Sequence, residues 1–174
     1  MRLYLIRHGK AERQSDSGLD ADRRLAPRGE RQAAWLGGVL RDAERPPGRI
    51  IASPAARAAR TADLIAEALG LEAERRDEVG LSSTASRVID LLAHAGGAGG
   101  AGGAGDAGDA GGEPSLALVG HNPTLSMVAD VLVNGPTPSC RIGLRTGEAA
   151  VLELADPSDP VGSATLLGLL RLDD

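Results

Sequence analysis

Cysteine and aromatic residues are almost absent from this sequence of 174 residues. Cys140 is the single cysteine, which excludes an intramolecular disulfide and a cysteine-rich metal site. Phenylalanine is missing, and Tyr4 and Trp35 are the only tyrosine and tryptophan. Because apolar residues still make up 42% of the chain, a core must be built from Leu, Ile, Val and Ala. Such a core suits helices packed on a buried sheet, and the chain is long enough to form one.

The sequence also lacks a long hydrophobic run and an excess of basic residues. The most apolar late segment, residues 164–172, is far shorter than the roughly 20 residues of a membrane helix. The residues after Met1 enter a short strand without the apolar stretch of a signal peptide. A net charge of -5 argues against a general nucleic-acid binder. We therefore expect a cytoplasmic protein that binds neither membranes nor nucleic acid.

Short apolar segments alternate along the chain with segments of helical periodicity. The pattern predicts strands at 2–6, 49–52, 71–76, 115–119, 149–154 and 164–172, and helices at 27–42, 55–69, 84–95 and 124–133. Residues 115–119 are apolar throughout, as is typical of a central strand, whereas the charged segment 71–76 suits a sheet edge. The order predicts a single domain over 1–174, a three-layer α/β/α sandwich with a mainly parallel central sheet.

Two local sequence features bear on the ends of these elements. Ser53 is a candidate N-cap for the helix at 55–69, with Pro54 as its first residue and Gly70 as its C-cap. Residues 96–112 are almost entirely glycine and alanine. Such a segment buries too little surface to offset its conformational entropy, so we predict a flexible loop there.

Two of the three histidines occupy matching positions in this predicted fold. His8 follows the apolar run that starts at Leu3, and His121 follows the run that starts at Leu116. The carboxyl ends of parallel strands meet at one edge of a sheet, where α/β proteins place their sites. Histidine suits nucleophilic or proton-transfer chemistry near neutral pH. The sequence therefore predicts a site that contains both histidines.

Three motifs in order along the chain resemble those of the histidine phosphatase superfamily. They are Arg7-His8-Gly9, the segment 53–62 with its Ser-Pro-x-x-Arg-Ala-x-x-Thr-Ala pattern, and Gly120-His121-Asn122. The segments 22–29 and 146–149 most resemble the SixA branch of phosphohistidine phosphatases. The resemblance covers most of the chain outside the glycine-rich segment, and it implies the phosphoglycerate mutase-like fold.

The resemblance implies a role for each of the matched residues. His8 is the predicted nucleophile, which carries the phosphoryl group until water releases it. Arg7 and Arg57 would bind the phosphoryl oxygens through bidentate guanidinium donors, and His121 would stabilise the charge that develops on them. Gly9 and Arg24 are further candidate substrate-binding residues. We predict no metal and no cofactor, because these cations already supply the counter-charge.

A general acid is the component for which the sequence offers only a weak candidate. Family members that act on phosphate monoesters carry an acidic residue after the third strand, where this chain has Asp77 and Glu78. The flanking residues differ from those of the mutase-like members, so we favour a site in which Glu78 is not a positioned acid. An alkoxide leaving group needs such a proton, whereas a phosphoramidate leaves more easily.

We therefore predict a metal-independent phosphatase that acts on phosphohistidine of a partner protein, such as a phosphotransfer or phosphocarrier domain. The chain has no large lid insertion, which leaves the site open to a protruding imidazole. Two alternatives stay open: a phosphatase of small phosphate monoesters that uses Asp77 or Glu78, and a non-catalytic phosphate-binding module. The sequence does not indicate an oligomeric state.

Overall fold

A computed structural model describes residues 1–97, 114–137 and 141–172 of the chain. Two short 3-10 helices, Asp20–Asp22 and Asp77–Val79, accompany the main elements. In chain order these are β1 (Arg2–Arg7), α1 (Pro27–Arg41), β2 (Arg49–Ala52), α2 (Ala56–Leu69), β3 (Ala73–Arg75), α3 (Ala85–Gly97), β4 (Ser115–Gly120), α4 (Thr124–Asn134), β5 (Ala149–Leu154) and β6 (Ala164–Leu170). The α/β fold class is confirmed.

One six-stranded sheet with the order β3-β2-β4-β1-β5-β6 forms the middle layer. Strands β3, β2, β4 and β1 are parallel, while β5 and β6 run antiparallel to their neighbours. The central position of β4 and the edge position of β3 agree with the sequence. The last strand ends two residues earlier than predicted because Leu170 pairs with Ala149, the first residue of β5.

Helices cover both faces of the sheet, which gives the three predicted layers. Successive residues of a strand point to opposite faces, so Leu3 and Leu5 join the core under α3 and α4. Tyr4 and Ile6 join the second core, under α1 and α2. With no Phe available, these two cores consist almost wholly of aliphatic side chains. No helix in the described part of the chain is long and apolar enough to cross a membrane.

The start of α2 differs from the prediction. Ala55 is the N-cap and the helix begins at Ala56, so Ser53 does not cap it and Pro54 lies before it. Ala55 has extended backbone angles while its carbonyl accepts the first helical hydrogen bonds. The hydroxyl of Ser53 accepts a bond from the Ala55 N–H at 3.2 Å, within the turn that precedes the helix. Gly70 is the left-handed C-cap, as predicted.

Two sequence predictions concern residues that the structure describes only in part or not at all. Helix α3 runs to Gly97 and so includes the first two residues of the glycine-rich segment. The remainder of the predicted loop at 96–112 lies outside the described residues, as does Cys140.

Candidate active site

The carboxyl ends of β1, β2 and β4 bring the two predicted histidines to one edge of the sheet. Strand β1 pairs with β4 so that Arg7 lies opposite Gly120. Just beyond that pair the His8 N–H donates to the Gly120 carbonyl at 3.1 Å. The Ser53 N–H, at the end of β2, donates to the Val119 carbonyl at 2.9 Å. The ring centroids of His8 and His121 are 5.1 Å apart.

His8 is a buried, neutral imidazole with a defined tautomer. Its Nδ1 lies 2.8 Å from the Gly9 carbonyl, which can only accept, so Nδ1 carries the proton. Its Nε2 accepts a hydrogen bond from Arg57 Nε at 3.2 Å. Burial is the main cause that lowers the pKa of His8 to about 4, and Arg57 and Arg7 add to it. Nε2 is therefore unprotonated at neutral pH, and its lone pair can attack once the hydrogen bond from Arg57 Nε opens.

Gly9 holds the backbone that follows His8 against helices α1 and α2. The Gly9 N–H donates to Thr61 Oγ1 at 3.1 Å, and that hydroxyl donates to the Arg57 carbonyl at 2.7 Å. A Cβ at Gly9 would lie 2.6 Å from the Gly29 carbonyl oxygen, a backbone atom that cannot move away on its own. Only glycine permits this approach of two backbones. Gly9 thus fixes the path of the backbone directly after His8.

Arg57 is a buried guanidinium whose three nitrogens all have partners. Besides the bond from Nε to His8, its Nη1 donates to the Asp20 carbonyl at 2.6 Å. Its Nη2 donates to Asp20 Oδ2 at 2.8 Å, which forms an ion pair. Asp20 also accepts a bond from Arg23 Nη1 at 2.7 Å. Hydrogen bonds from Arg23 and Arg57 hold the pKa of the Asp20 carboxyl below its usual range.

Arg7 is the second guanidinium of the site. Its Nη1 donates to the Leu144 carbonyl at 3.0 Å, and Asn122 Nδ2 donates to the same oxygen at 2.7 Å. Burial lowers the pKa of Arg7. Its Nε is a buried donor with no hydrogen-bond partner among the described residues. A buried N–H of this kind is rare and suits a site that receives an anion.

His121 is held by Ser53, a side chain with no exposed surface. His121 Nε2 lies 2.8 Å from Ser53 Oγ, and its Nδ1 has no partner among the described residues. Burial is the main cause that lowers the pKa of His121 to about 3, with His8 and Arg57 adding to it. The ring is therefore neutral, and only one of its nitrogens carries a proton.

The bonds of Ser53 indicate which nitrogen of His121 that is. Ser53 Oγ accepts the Ala55 N–H, and its own hydrogen has no other acceptor in the described structure than His121 Nε2. A buried hydroxyl without an acceptor is costly. The arrangement that gives the Ser53 hydroxyl both of its partners has Ser53 donating to Nε2. The proton of His121 is then on Nδ1, which is a second unpartnered donor in addition to Arg7 Nε. A neutral nucleophile with such donors can transfer a group that carries negative charge.

The structure does not bring every sequence candidate to this cluster. Arg24 is exposed, and within the described ranges only its carbonyl makes a hydrogen bond, which it accepts from the Glu12 N–H at 2.9 Å. Glu78 is half-buried, and its carboxylate makes no hydrogen bond or ion pair with a described residue. Asp77 is exposed. Across the described ranges no group of three or more metal-ligating side chains could hold a metal ion.

Sequence reasoning missed Asp20 and the bond that Arg23 makes to it, and treated Ser53 only as a helix cap. Asp20 and Arg23 lie in the irregular segment between β1 and α1, and nothing in their spacing pointed to Arg57. Ser53 had a usable signal, because it is a polar residue directly after a buried strand at the same sheet edge as the histidines. The electrostatic effect of Arg23 reaches His8, whose pKa it helps to lower.

Comparisons with known proteins agree with this geometry. Residues 3–80 match the family described as histidine phosphatase superfamily (branch 1). An uncharacterised protein of Picosynechococcus is 30% identical over 158 residues, which cover 87% of this chain and 88% of that protein.

Several solved structures share the fold. The protein histidine phosphatase SixA complexed with tungstate matches with a TM-score of 0.77 and 22% identity, over 98% of this chain and 97% of that one. A SixA structure from Agrobacterium tumefaciens has a TM-score of 0.72 and 25% identity, over 99% and 98% of the two chains. A mycobacterial glucosyl-3-phosphoglycerate phosphatase has a TM-score of 0.67 and 19% identity, over 95% and 96%.

Proposed function

This chain belongs to the histidine phosphatase superfamily and is a phosphatase of the SixA-like type, and we propose that its substrate is phosphohistidine on a partner protein. The observation that carries the proposal is the state of the carboxyl groups near His8. Asp20, which bonds to Arg57, has a lowered pKa and is ionised at neutral pH. Glu78 makes no bond to the site. An ester would need a proton donor here, whereas a phosphorylated imidazole does not.

In the proposed first step, the lone pair of His8 Nε2 attacks phosphorus. The bond from phosphorus to the substrate nitrogen breaks, and its electrons stay on that nitrogen. The substrate ring leaves as a neutral imidazole if its other nitrogen already carried a proton. The guanidinium groups of Arg7 and Arg57 and the Nδ1–H of His121 would stabilise the charge on the transferring oxygens.

In the second step, water attacks phosphorus and the bond to His8 Nε2 breaks. The electrons return to Nε2, and both protons of the water leave with the phosphate as dihydrogen phosphate. His8 is thereby regenerated as a neutral imidazole, because it keeps the proton on Nδ1 that it donates to the Gly9 carbonyl at 2.8 Å. The same carbonyl stabilises the positive charge that the ring gains while it is phosphorylated. This cycle uses no metal and no cofactor.

The proposal is tested by phosphate release in the presence of a chelator. The substrates are a phosphotransfer domain phosphorylated on histidine and p-nitrophenyl phosphate, each with wild type and His8→Ala. His94→Ala is the matched control, because His94 is exposed and bonds to the Asp90 carbonyl on α3, outside the cluster. We expect His8-dependent release that is faster from the phosphorylated domain, and an unchanged rate for His94→Ala.

Two other results would contradict the proposal and favour a different function. Faster release from the ester would favour a phosphatase of small phosphate monoesters. This is the second candidate, because a phosphatase of that kind has the same fold. No His8-dependent release from either substrate would favour a phosphate-binding module. The cytoplasmic location and the single-domain organisation remain part of the proposal.

A further inference from the structure

The carboxylate of Asp20 places a negative charge against the guanidinium of Arg57, which we propose binds the phosphoryl group. Asp20 accepts hydrogen bonds from both Nη atoms of Arg57, one at its carbonyl and one at its carboxylate. The third nitrogen of Arg57 donates to His8. Asp20 is therefore joined to the nucleophile through a single side chain.

The exposure of the two side chains shows how they are arranged. The side chain of Arg57 is 6% exposed, whereas that of Asp20 is 54% exposed. The carboxylate thus lies on the solvent side of the guanidinium, where a substrate must approach. Arg23 holds it there from the other side, through Oδ1 at 2.7 Å. The two guanidinium groups keep the carboxyl ionised, since they lower its pKa.

A fixed carboxylate in this position acts differently on different phosphorylated compounds. It repels a free oxyanion or an ester whose only charge is negative. It attracts a leaving group that carries a positive charge and an N–H donor. The ring of phosphohistidine has both when its second nitrogen is protonated, and that is the form that leaves as a neutral imidazole.

The enzyme's own nucleophile supplies the comparison. When His8 is phosphorylated, its ring has a proton on Nδ1 and an acceptor for it, the Gly9 carbonyl. The substrate ring is chemically equivalent and needs an acceptor of its own on the far side of the phosphoryl group. Among the residues that bond to Arg57, Asp20 is the acceptor that faces solvent.

We propose that Asp20 is a specificity-determining residue, whose carboxylate disfavours oxyanions and phosphate esters and accepts the N–H of a protonated phosphoimidazole leaving group. This inference rests on the proposed function, because it assigns the leaving group to that same site. In the step it assists, Asp20 only accepts a hydrogen bond. The phosphorus–nitrogen bond still breaks with its electrons on the ring nitrogen, and no proton passes to the carboxylate.

The test compares Asp20→Asn with Asp22→Asn. Asp22 lies in the same 3-10 helix and accepts a bond from Ser17 Oγ at 2.5 Å, so its substitution removes an equal charge without touching Arg57. Three quantities are measured for each variant: kcat/KM with phosphoimidazole, kcat/KM with p-nitrophenyl phosphate, and the Kd of inorganic phosphate by calorimetry.

For Asp20→Asn we expect opposite changes for the two substrates. The value for phosphoimidazole should fall about fivefold, while that for p-nitrophenyl phosphate should rise about threefold and phosphate should bind about threefold more tightly, the scale of partly exposed ion pairs. Asp22→Asn should change none of the three beyond about 1.5-fold, since its charge is screened by solvent.

A fall for both substrates in Asp20→Asn would overturn the inference, because it would show that Asp20 only supports the fold of its segment. Equal effects of the two variants would overturn it as well. Failure of the proposed function is a separate result, in which the wild-type protein releases no phosphate from phosphoimidazole. The phosphate affinity still tests the repulsion by Asp20 in that case, and an unchanged Kd would contradict it.

Discussion

Replacing Ser53 by alanine tests whether this hydroxyl sets the protonation state of His121. Ser53 has no exposed surface, and its Oγ joins His121 Nε2 at 2.8 Å to the Ala55 N–H at 3.2 Å. The variant leaves a buried acceptor and a buried donor without their partner. Each such loss costs about 1–3 kcal/mol.

We expect two separate effects from the Ser53→Ala variant. The free energy of unfolding should fall by about 2–6 kcal/mol, the sum of these two losses. Without a donor at Nε2, the His121 ring can take up its proton on either nitrogen, so Nδ1 loses its defined donor role. The resulting loss of charge stabilisation should lower kcat for phosphoimidazole by about 10- to 100-fold, with a much smaller change in KM.

Ser83→Ala is the matched control for stability. Ser83 is also buried, but its hydroxyl donates to the Glu78 carbonyl and not to a histidine. It should therefore reduce stability and leave kcat unchanged. Denaturant unfolding gives the first quantity, steady-state kinetics the second, and nitrogen NMR of labelled His121 reports the tautomer.

Two results would refute the reasoning about Ser53. One is a wild-type NMR spectrum with the proton of His121 on Nε2. The other is a Ser53→Ala variant that is destabilised like Ser83→Ala but keeps full kcat, since Ser53 would then be structural alone.

The pH dependence of stability, Gly9 and Glu78 each provide a further test of the site. His8 has a folded-state pKa of about 4 against 6.5, so the unfolded chain binds more protons between these values. His8 by itself should raise stability by roughly 3 kcal/mol as the pH rises across that window, and His121, whose pKa is lowered to about 3, adds a slope of the same sign. A urea series at fixed pH values without this slope would contradict the prediction. Gly9→Ala would bring a Cβ to 2.6 Å from the Gly29 carbonyl, so we expect a loss of about 1–3 kcal/mol in thermal unfolding and a strongly reduced kcat. Glu78→Gln should change kcat/KM by less than about threefold with either substrate, because Glu78 is not a positioned acid. Loss of a general acid would lower the rate by about 100-fold or more, so a larger loss confined to the ester would restore Glu78 as an acid.

The parts of the fold that the sequence predicted depend on local patterns. Apolar runs and helical periodicity identified all six strands and the four main helices, with errors of at most two residues at their ends. The position of β4 followed from its apolar character alone, because a strand covered on both faces has no polar side. The start of α2 was wrong because Ser53 bonds to His121 at the end of another strand rather than capping the helix.

The common location of His8 and His121 was also accessible from the sequence, because each follows a buried parallel strand and such strand ends meet at one edge. Only the tertiary structure decided which side chains form hydrogen bonds with the residues of the site. Asp20 lies 37 residues from Arg57, and Ser53 lies 68 residues from His121. Side-chain bonds between irregular segments leave no periodic signal, since they depend on where the chain returns after folding. The sequence alone therefore determined which residues could carry the chemistry, and the fold decided their protonation states and the charge beside them.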